Sequence, residues 1–390
     1  MASHSTRSNC GIRVAASPLA ATRAAVAEIG AELDGGAGLQ HIVVFFGIDH
    51  DAATLVQALS EAFPGLPVSG CSTAGEIGPC GMMQGALVAI GFPRDGFRVH
   101  SELITDIDRS GVKHATDAAR RLKARVSPTK AERRHANDMF ALLLVDGLSN
   151  AEENIVAAIH WEIDDIELIG GSAGDGACFK RTVIIHNGTI AHRAAVLMII
   201  ESDYPFRVFK TQNFEPTGIK LVVTAADTEN RIVHELNAEP AAREYAAAIG
   251  LLPDDLGPFS FASYPLVVKV GGDYYCRSIR NMNADGSLSF FCAIDEGLVF
   301  TVARPRDILS ATEHTLQEVD QALGGIELVI GFDCILRRLD AETRQIRHQL
   351  AELYRKYSIA GFHTYGEQYN AMHLNQTLTG IAFGQRTREA

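Results

Sequence analysis

The sequence predicts a mixed α/β protein in which a duplicated strand–helix–strand–hairpin domain is followed by a smaller α/β domain. An apolar segment that ends in small residues and then an acid occurs at residues 66–76 and again, about 100 residues later, at residues 167–176. A buried-strand pattern precedes each copy, at residues 41–47 and 140–147. The chain of 390 residues is longer than one hydrophobic core usually serves. Two pseudo-equivalent halves should therefore face each other, with their small-residue turns meeting where a ligand could sit.

The first repeat is predicted to follow a short N-terminal region. Residues 1–17 have the character of a loose tail, and the Ala-rich segment 20–33 has helical periodicity. Pro93-Arg94-Asp95-Gly96 is a turn signal that predicts pairing of the strands on either side of it. The predicted elements are a buried strand at 42–46, a helix at 51–63 capped by Asp49 or Asp51, and paired strands at 86–92 and 97–103.

The second repeat has the same order of elements. Asn187-Gly188 is the dipeptide of a type I′ turn and predicts a hairpin between residues 181–186 and 190–200. A polar, basic connector at 126–137 precedes this repeat. Its other predicted elements are a strand at 142–145, a helix at 152–162 and a strand at 166–169. The internal repeat is therefore placed at residues 40–104 and 138–202.

Composition shifts near residue 205, and a second α/β region follows. The pair Arg337-Arg338 is predicted to be the solvated start of a helix. Residues 359–362 and 377–383 are predicted strands that flank a glycine-rich, polar segment. The other predicted elements are strands at 219–225, 266–270, 287–293 and 327–332 and helices at 240–250, 306–323 and 340–357. The predicted domain limits are 1–35 for the tail and first helix, 36–236 for the duplicated domain and 237–385 for the C-terminal domain.

Composition and charge disfavour several classes of function. The net charge is −12, so nucleic acid and anionic membrane surfaces are disfavoured as partners. No apolar run reaches the ~18 residues of a membrane span, and residues 1–9 lack the apolar core of a signal peptide. The seven cysteines are odd in number and include no Cys-x-x-Cys pair, which argues against a disulfide framework and a structural zinc site. A reduced, cytoplasmic protein is expected.

The two small-residue turns form the first candidate site. Gly170-Gly171-Ser172-Ala173-Gly174 fits the Gly-x-Ser-x-Gly pattern of a nucleophile elbow, but that chemistry needs a helix after the serine, and none is predicted there. A tight structural turn is therefore the favoured interpretation, with a serine hydrolase at Ser172 as a remote alternative. A third interpretation is a pocket for a small polar ligand, formed by Ser72, Thr73, Glu76, Ser172 and Asp175.

The polar segment between the last two predicted strands forms the second candidate site. His363 and His373 lie ten residues apart in it, and loops held between strands often carry function. A neutral imidazole there could bind haem iron, bond another ligand or satisfy backbone groups. The same segment supplies Tyr365, Glu367 and Asn375 as candidate ligand-binding residues.

Taken together, these motifs resemble FIST domain proteins. The resemblance covers a FIST_N part at about 40–235 and a FIST_C part at about 240–384. It implies a sensory module of bacterial signal transduction that binds a small ligand inside the cell, with amino acids among the proposed ligands. The matching segments are residues 70–77, 170–175, Glu239-Pro240-Ala241 with Tyr245, 361–367 and 375–377.

One branch of that family consists of standalone proteins of about this length. The resemblance to this branch implies a protein that binds haem b, senses nitric oxide and regulates a partner histidine kinase. The runs 332–338, 364–368 and 373–377 suit that branch. The iron ligand that it implies is His373 as first choice and His363 as second.

Three hypotheses follow from the sequence. The first is a non-enzymatic, cytoplasmic haem sensor for nitric oxide that acts on a histidine kinase. The second is a receptor for an amino acid or a similar metabolite, without haem. The third is the hydrolase at Ser172. Homodimerisation is left open, and neither a nucleic acid nor membrane insertion is expected.

Overall fold

Three copies of one α/β unit, rather than two, form the body of the protein. The computed structural model describes residues 4–126 and 138–385, so residues 127–137 of the predicted connector lie outside it. Each repeat has an outer strand, a helix, a central strand, a second helical segment, a strand parallel to the central one, a hairpin and a returning strand. An inserted β-rich domain interrupts the third repeat after its outer strand.

The first repeat follows an added N-terminal strand. Its second helix is capped by Asp51, which accepts a hydrogen bond from the Thr54 N–H at 2.8 Å, as the sequence predicts. The elements are β1 (His4–Arg7), β2 (Arg13–Ser17), α1 (Thr22–Glu32), β3 (Leu39–Gly47), α2 (Ala52–Ala62), β4 (Val68–Thr73), β5 (Glu76–Gly78), β6 (Gly81–Met83) and β7 (Leu87–Pro93).

The second repeat is continuous in sequence. Its central strand is an apolar run that is buried on both faces, as expected for a strand covered by helices on one side and by other sheets on the other. The elements are β8 (Phe97–Ile104), α3 (Gly111–Lys123), β9 (Met139–Val145), α4 (Glu152–Ile163), β10 (Glu167–Ser172), β11 (Ile184–His186), β12 (Thr189–Ala191) and β13 (Ala195–Ser202).

The third repeat begins with β14 (Phe206–Lys210), and the inserted domain follows at once. The insert contains β15 (Phe214–Asp227), β16 (Ile232–Leu236), β17 (Glu239–Pro240), α5 (Ala241–Ile249), α6 (Pro258–Ser263), β18 (Leu266–Val270), β19 (Asp273–Arg277), β20 (Ile279–Met282), β21 (Leu288–Phe290) and β22 (Val299–Pro305). The third repeat then resumes with α7 (Ile308–Leu323), β23 (Ile326–Cys334), α8 (Ile335–Thr343), α9 (Arg347–Lys356), β24 (Ile359–Thr364), β25 (Glu367–Tyr369), β26 (Met372–Leu374) and β27 (Leu378–Gly384).

The three repeats exchange their hairpins in a cycle. The β5–β6 hairpin of the first repeat pairs with β24 of the third, and β25–β26 of the third pairs with β10 of the second. The β11–β12 hairpin of the second repeat pairs with β4 of the first, which closes the cycle. The resulting strand orders are β1-β2-β7-β3-β4-β11-β12, β8-β13-β9-β10-β25-β26 and β14-β27-β23-β24-β5-β6. The exchange joins the repeats into one body.

One apolar core is shared by the inner faces of these three sheets. The ring centroid of Phe45 in the first sheet lies 4.6 Å from that of Phe362 in the third, and Phe140 of the second sheet belongs to the same core. Helix pairs cover the outer faces, with α1–α2, α3–α4 and α7–α9 each on one sheet. The insert has a separate core around the stacked rings of Phe290 and Phe300.

The mixed α/β class and the duplicated order of elements are confirmed, while several local predictions are wrong. Residues 4–7 and 13–17 are strands rather than a loose tail. β7 and β8 do not pair with each other, because the turn between them carries the chain from the first sheet to the second. The helix predicted at 340–357 is broken at Gln345, whose φ of 59° lies in the left-handed region.

Three further observations concern the described part of the chain. The predicted boundary at 236/237 falls inside the insert, between β16 and β17. Within residues 4–126 and 138–385, no helix combines the length and the apolar character needed to cross a membrane. All seven cysteines lie in these ranges, and each is a free thiol.

Candidate functional site

The small-residue turns of the three repeats meet at the centre of the body. We call residues 73–76, 172–175 and 364–367 the central turns. Backbone hydrogen bonds connect each turn to the next repeat around the cycle. The bonds are Ala74 N–H to His363 O at 2.9 Å, Gly174 N–H to Ser72 O at 3.0 Å and Tyr365 N–H to Ser172 O at 3.2 Å. The two turns that were predicted to meet therefore do meet, together with a third.

Close packing explains why these turns need small residues. A Cβ atom added to Gly174 would lie 2.9 Å from the backbone nitrogen of Ala74 and 3.1 Å from the Tyr365 ring. Both distances are shorter than ordinary van der Waals contacts. The centre of the body is therefore filled by the turns themselves.

The candidate polar residues of the central turns are buried, and they bond mainly to the turns and their neighbouring loops. In the first and third repeats the acid closes its own turn, whereas Asp175 of the second bonds the loop that follows it and a residue of the third repeat. Glu76 accepts from the Thr73 hydroxyl and the Ala86 N–H, and Glu367 accepts from the Thr364 hydroxyl and the Thr377 N–H. Ser72 Oγ accepts from the Val183 N–H. Asp175 accepts from the N–H groups of Phe179, Lys180 and Arg181 and from the Tyr365 hydroxyl. This arrangement favours the tight-turn interpretation.

Two of these acids, Glu76 and Glu367, have pKa values well above the usual range of a glutamate. Burial raises the pKa of Glu76 to about 7 and that of Glu367 to about 8, although hydrogen bonds from the neighbouring threonines oppose the shift. Both carboxyls therefore hold a proton in the folded state over a pH range in which an unfolded chain is ionised.

Glu367→Gln is expected to remove part of the pH dependence of stability. Between pH 4.5 and about 8 the folded state binds more protons at Glu367 than the unfolded state, so the contribution of Glu367 to the free energy of unfolding falls as pH rises, by up to about 1.4 kcal/mol per pH unit. Gln cannot ionise, and the stability of the variant relative to the parent should therefore rise from pH 5 to pH 8. Urea unfolding at each pH measures the difference. The exposed Glu61→Gln should show no such rise, and equal slopes in parent and Glu367→Gln would contradict the prediction.

A cluster of charged side chains lies where the insert meets the second repeat. Arg231, just before β16, donates to Glu152 at 2.8 Å and to Glu153 at 2.6 Å at the start of α4. Its side chain is only 5% exposed, so solvent screens these ion pairs little. Glu153 also accepts a hydrogen bond from the Ala293 N–H at 2.6 Å. These contacts hold the insert against α4 of the second repeat.

His373 of β26 reaches the same place from the third repeat. It is 2% exposed, and its Nδ1 lies 3.2 Å from Gln368 Oε1, while Gln368 Nε2 donates to Ser172 Oγ at 2.9 Å. Its Nε2 has no hydrogen-bond partner among the described residues. Burial lowers the pKa of His373, and the negative charge of Glu153 only partly opposes that shift. The imidazole is therefore neutral at pH 7.

Two more residues connect the insert to the third repeat beside His373. Arg277 of β19 donates to the His373 carbonyl at 3.3 Å, and it is only half-buried. Asn375 donates to the Tyr365 carbonyl at 3.3 Å and accepts from the Ser278 N–H at 3.5 Å. We call Glu152, Glu153, Arg231, Arg277 and His373 the junction cluster.

His363 belongs to a different cluster, on the helix-covered face of the third sheet. Its Nδ1 lies 3.3 Å from Asp333 Oδ2, and Asp333 also accepts from Arg337 at 2.6 Å and from the Tyr354 hydroxyl at 2.8 Å. Burial disfavours the Asp333 carboxylate, but Arg337 and His363 outweigh it and lower its pKa. Burial lowers the pKa of His363, so its ring is neutral. The two candidate iron ligands therefore do not lie in one site.

The prediction of a solvated Arg337-Arg338 pair is wrong. Both side chains are buried, with Arg337 bonded to Asp333, Asn213 and Thr312, and Arg338 bonded to the Ala74 carbonyl. A buried carboxylate four residues before Arg337 compensates its charge. This i, i+4 spacing is the sequence signal that could have indicated the pairing.

The surroundings of His363 and His373 can be compared with what a haem needs, which is a free axial nitrogen and an apolar space beside it. Nε2 of each ring is buried and unpaired, which suits an axial ligand by type. The rings are nevertheless closely enclosed: a Cβ on Gly366 would lie 2.1 Å from His373 Cε1, and one on Gly75 would lie 3.2 Å from His363 Cδ2. The groups around His373 are charged rather than apolar. As arranged, these residues do not fit a haem macrocycle.

Metal binding and hydrolysis find little support in the same region. Over residues 4–126 and 138–385, no group of three or more His, Cys, Asp or Glu side chains could hold a metal ion. The Ser172 hydroxyl accepts a hydrogen bond from the Gln368 amide, and an amide N–H cannot take the proton of a nucleophile. The chain after Ser172 continues as a loop to β11 rather than as a helix.

Fold and site together define a class of α/β protein in which polar side chains are held between a body of three repeats and an inserted domain. The chain belongs to the FIST family: residues 40–239 match the FIST N domain, and residues 241–370 match the FIST C domain. The predicted resemblance to FIST domain proteins is therefore confirmed, while membership of the haem-binding branch stays a prediction. FIST domains are associated with the sensing of small ligands in signal transduction. No curated protein matches the chain closely enough to count as a relative.

Proposed function

We propose that this chain senses a small polar metabolite, with an amino acid as the first choice, at the junction cluster. The observation that carries the proposal is the buried, unpaired Nε2 of His373, which lies among charges of both signs. Buried polar atoms of proteins nearly always have a hydrogen-bond partner, so an unpaired one is a candidate ligand contact. An amino acid carries a carboxylate that suits Arg277 and an ammonium group that suits Glu153.

The position of this cluster suggests how binding is transmitted. Two short connections, residues 211–213 and 306–307, join the insert to the third repeat, and they lie side by side through an Arg306 N–H to Asn213 O bond at 2.6 Å. Such a pair of connections can act as a hinge. A ligand that bonds both the insert and the body favours one position of the insert, provided that its affinity differs between the positions. A signalling partner, with a histidine kinase as the expected type, would recognise that position.

His373→Ala is expected to abolish ligand-induced stabilisation. A ligand that binds only the folded state at 100 times its Kd raises the free energy of unfolding by about 2.7 kcal/mol. Thermal unfolding of the parent with each of the twenty amino acids should identify a ligand by a rise in Tm that depends on concentration. The matched control is His348→Ala, which removes a side chain that is 79% exposed on α9 and should keep the response. The proposal fails if no amino acid or related metabolite stabilises the parent, or if His373→Ala responds like the parent.

The haem sensor of nitric oxide, acting on a histidine kinase, stays a prediction from the family resemblance. The unpaired Nε2 atoms favour it, while the close packing around both rings opposes it. Titration of the purified protein with haem separates the two hypotheses in one measurement. A Soret band that shifts on addition of nitric oxide and is lost in His373→Ala would favour haem at His373. Its loss only in His363→Ala would assign the other histidine, and no band at all would remove the haem hypothesis.

A further inference from the structure

An apolar groove lies on the first repeat, far in sequence from the junction cluster. It is bounded by α2, by the connection from α2 to β4 and by the β11–β12 hairpin, and its volume is about 330 Å³. Its apolar lining includes Val56 and Leu59 of α2, Phe63 directly after α2, Leu66 of the connection and Ile185 of β11. None of the residues that line the groove carries a charge at neutral pH.

In each repeat, a helix, the strand after it and a neighbouring hairpin meet along a line that we call the seam. Comparison with the other two repeats shows why the seam of the first repeat is open as a groove. The connection between helix and strand is residues 63–67 in the first repeat, 164–166 in the second and 357–358 in the third. The longest of the three also contains Pro64 and Pro67, and it begins with a turn that the Leu66 N–H closes on the Phe63 carbonyl at 3.2 Å. The longer connection leaves room for the groove between the end of α2 and the β11–β12 hairpin.

The equivalent seams of the other repeats are closed by their own side chains. In the second repeat, Val156 and Ile166 are almost completely buried, whereas their counterparts in the first repeat, Val56 and Leu66, are only half-buried. In the third, the hairpin packs so closely on α9 that a Cβ on Gly81 would lie 3.1 Å from the Ala351 side chain. The fold does not require an opening at this place, because it builds the same seam twice without one.

The polar groups at the end of the groove already bond to one another. Asn187 Oδ1 accepts from the Val68 N–H at 3.0 Å, and Asn187 Nδ2 lies 3.1 Å from His186 Nε2. His186 Nδ1 lies 3.0 Å from the Ser69 hydroxyl. An ionised ligand would find no opposite charge here, and its desolvation would go uncompensated.

We propose that this groove is a second ligand site, which takes a neutral apolar molecule of one or two rings. Its volume lies at the lower end of the range for small-molecule sites, which suits such a ligand. The walls offer aliphatic and aromatic contacts, and burial of the ligand's apolar surface supplies the driving force. The site is separate from the junction cluster, so its failure and that of the proposed function are distinguishable.

Methyl NMR of the full chain titrated with indole or phenol tests the proposal. The methyl resonances of Ile185 and Leu66 should shift in a saturable way, while those of Ile159 and Ile163 in the closed seam of the second repeat should not. Ser60→Phe places a ring at the exposed mouth of the groove and is expected to weaken binding at least tenfold. Ala53→Phe adds the same ring to an exposed position of α2 outside the groove and should leave binding unchanged.

Four outcomes would overturn the proposal. The first is no saturable shift at millimolar indole and phenol, and the second is equal shifts in both seams. The third is unchanged affinity in a folded Ser60→Phe variant. The fourth is a shift of Ile185 and Leu66 that depends on protein concentration without ligand, because it would assign the groove to contact between copies of the chain. If Ser60→Phe does not fold, the difference in methyl shifts between the seams of the first and second repeats of the parent still tests the proposal.

Discussion

Gly170→Ala is expected to destabilise the fold by about 4 kcal/mol or more, a loss that places it among the most damaging single substitutions. The added Cβ would lie 1.9 Å from the carbonyl oxygen of Leu143 on the neighbouring parallel strand β9. The opposing atom belongs to the backbone and cannot swing aside as a side chain would. β9 and β10 would have to separate along a ladder of six paired residues in the middle of the second sheet.

The matched control is Gly218→Ala, since Gly218 has no atom within 4 Å of the added Cβ and no left-handed φ. Its effect should stay within about 0.5 kcal/mol. Urea unfolding gives both free energies by linear extrapolation. A Gly170→Ala variant that loses less than about 1 kcal/mol would contradict the steric argument.

The same steric argument applies once in each repeat. A Cβ on Gly70 would lie 2.1 Å from the Val44 oxygen, and one on Gly361 would lie 1.8 Å from the Gly331 oxygen. Gly70 and Gly361 stand three residues before the threonine that opens a central turn, and Gly170 stands two residues before Ser172. The repeated glycine is therefore a requirement of strand spacing in this fold, and its presence in the sequence indicates the repeat rather than a catalytic site.

The order of elements within two repeats could be predicted from local patterns. Residues 42–46 and 140–145 are apolar runs of strand length, and both are followed by a helix and a small-residue turn. The third copy was missed, although Gly361, Thr364, Gly366 and Glu367 have the same spacing as Gly70, Thr73, Gly75 and Glu76. The insert at residues 214–305 separates its outer strand from the rest of the repeat and hides the period.

The candidate sites could be predicted only in part, because their contacts are non-local. The turns of the first two repeats were expected to meet, and they do, whereas the third turn was not expected to join them. Arg231 and Glu152 are 79 residues apart, and nothing near either one in sequence indicates their contact. His373 reaches α4 only because the hairpin β25–β26 crosses to the second sheet, and a hairpin exchanged between repeats leaves no local signal in the sequence.

Arg337→Met is expected to cost about 3–5 kcal/mol, because it leaves the Asp333 carboxylate buried without its main counter-charge. Arg337 and Asp333 are both fully buried, and their N–O distance is 2.6 Å. The guanidinium also donates to Asn213 at 3.1 Å and to Thr312 at 2.9 Å, so the variant removes three bonds at once. Chemical unfolding of the variant and the parent at pH 7 measures the loss.

An exposed ion pair and a double variant make this prediction specific. Arg23→Met breaks a pair with Glu61 at 2.9 Å whose side chains are 53% and 55% exposed, and it should cost no more than about 1 kcal/mol. Adding Asp333→Leu to Arg337→Met removes the Asp333 carboxylate that has lost its counter-charge. The double variant should therefore be more stable than Arg337→Met alone. If Arg337→Met costs no more than Arg23→Met, or if the double variant is less stable than both single variants, the buried charge of Asp333 is not what makes Arg337 necessary.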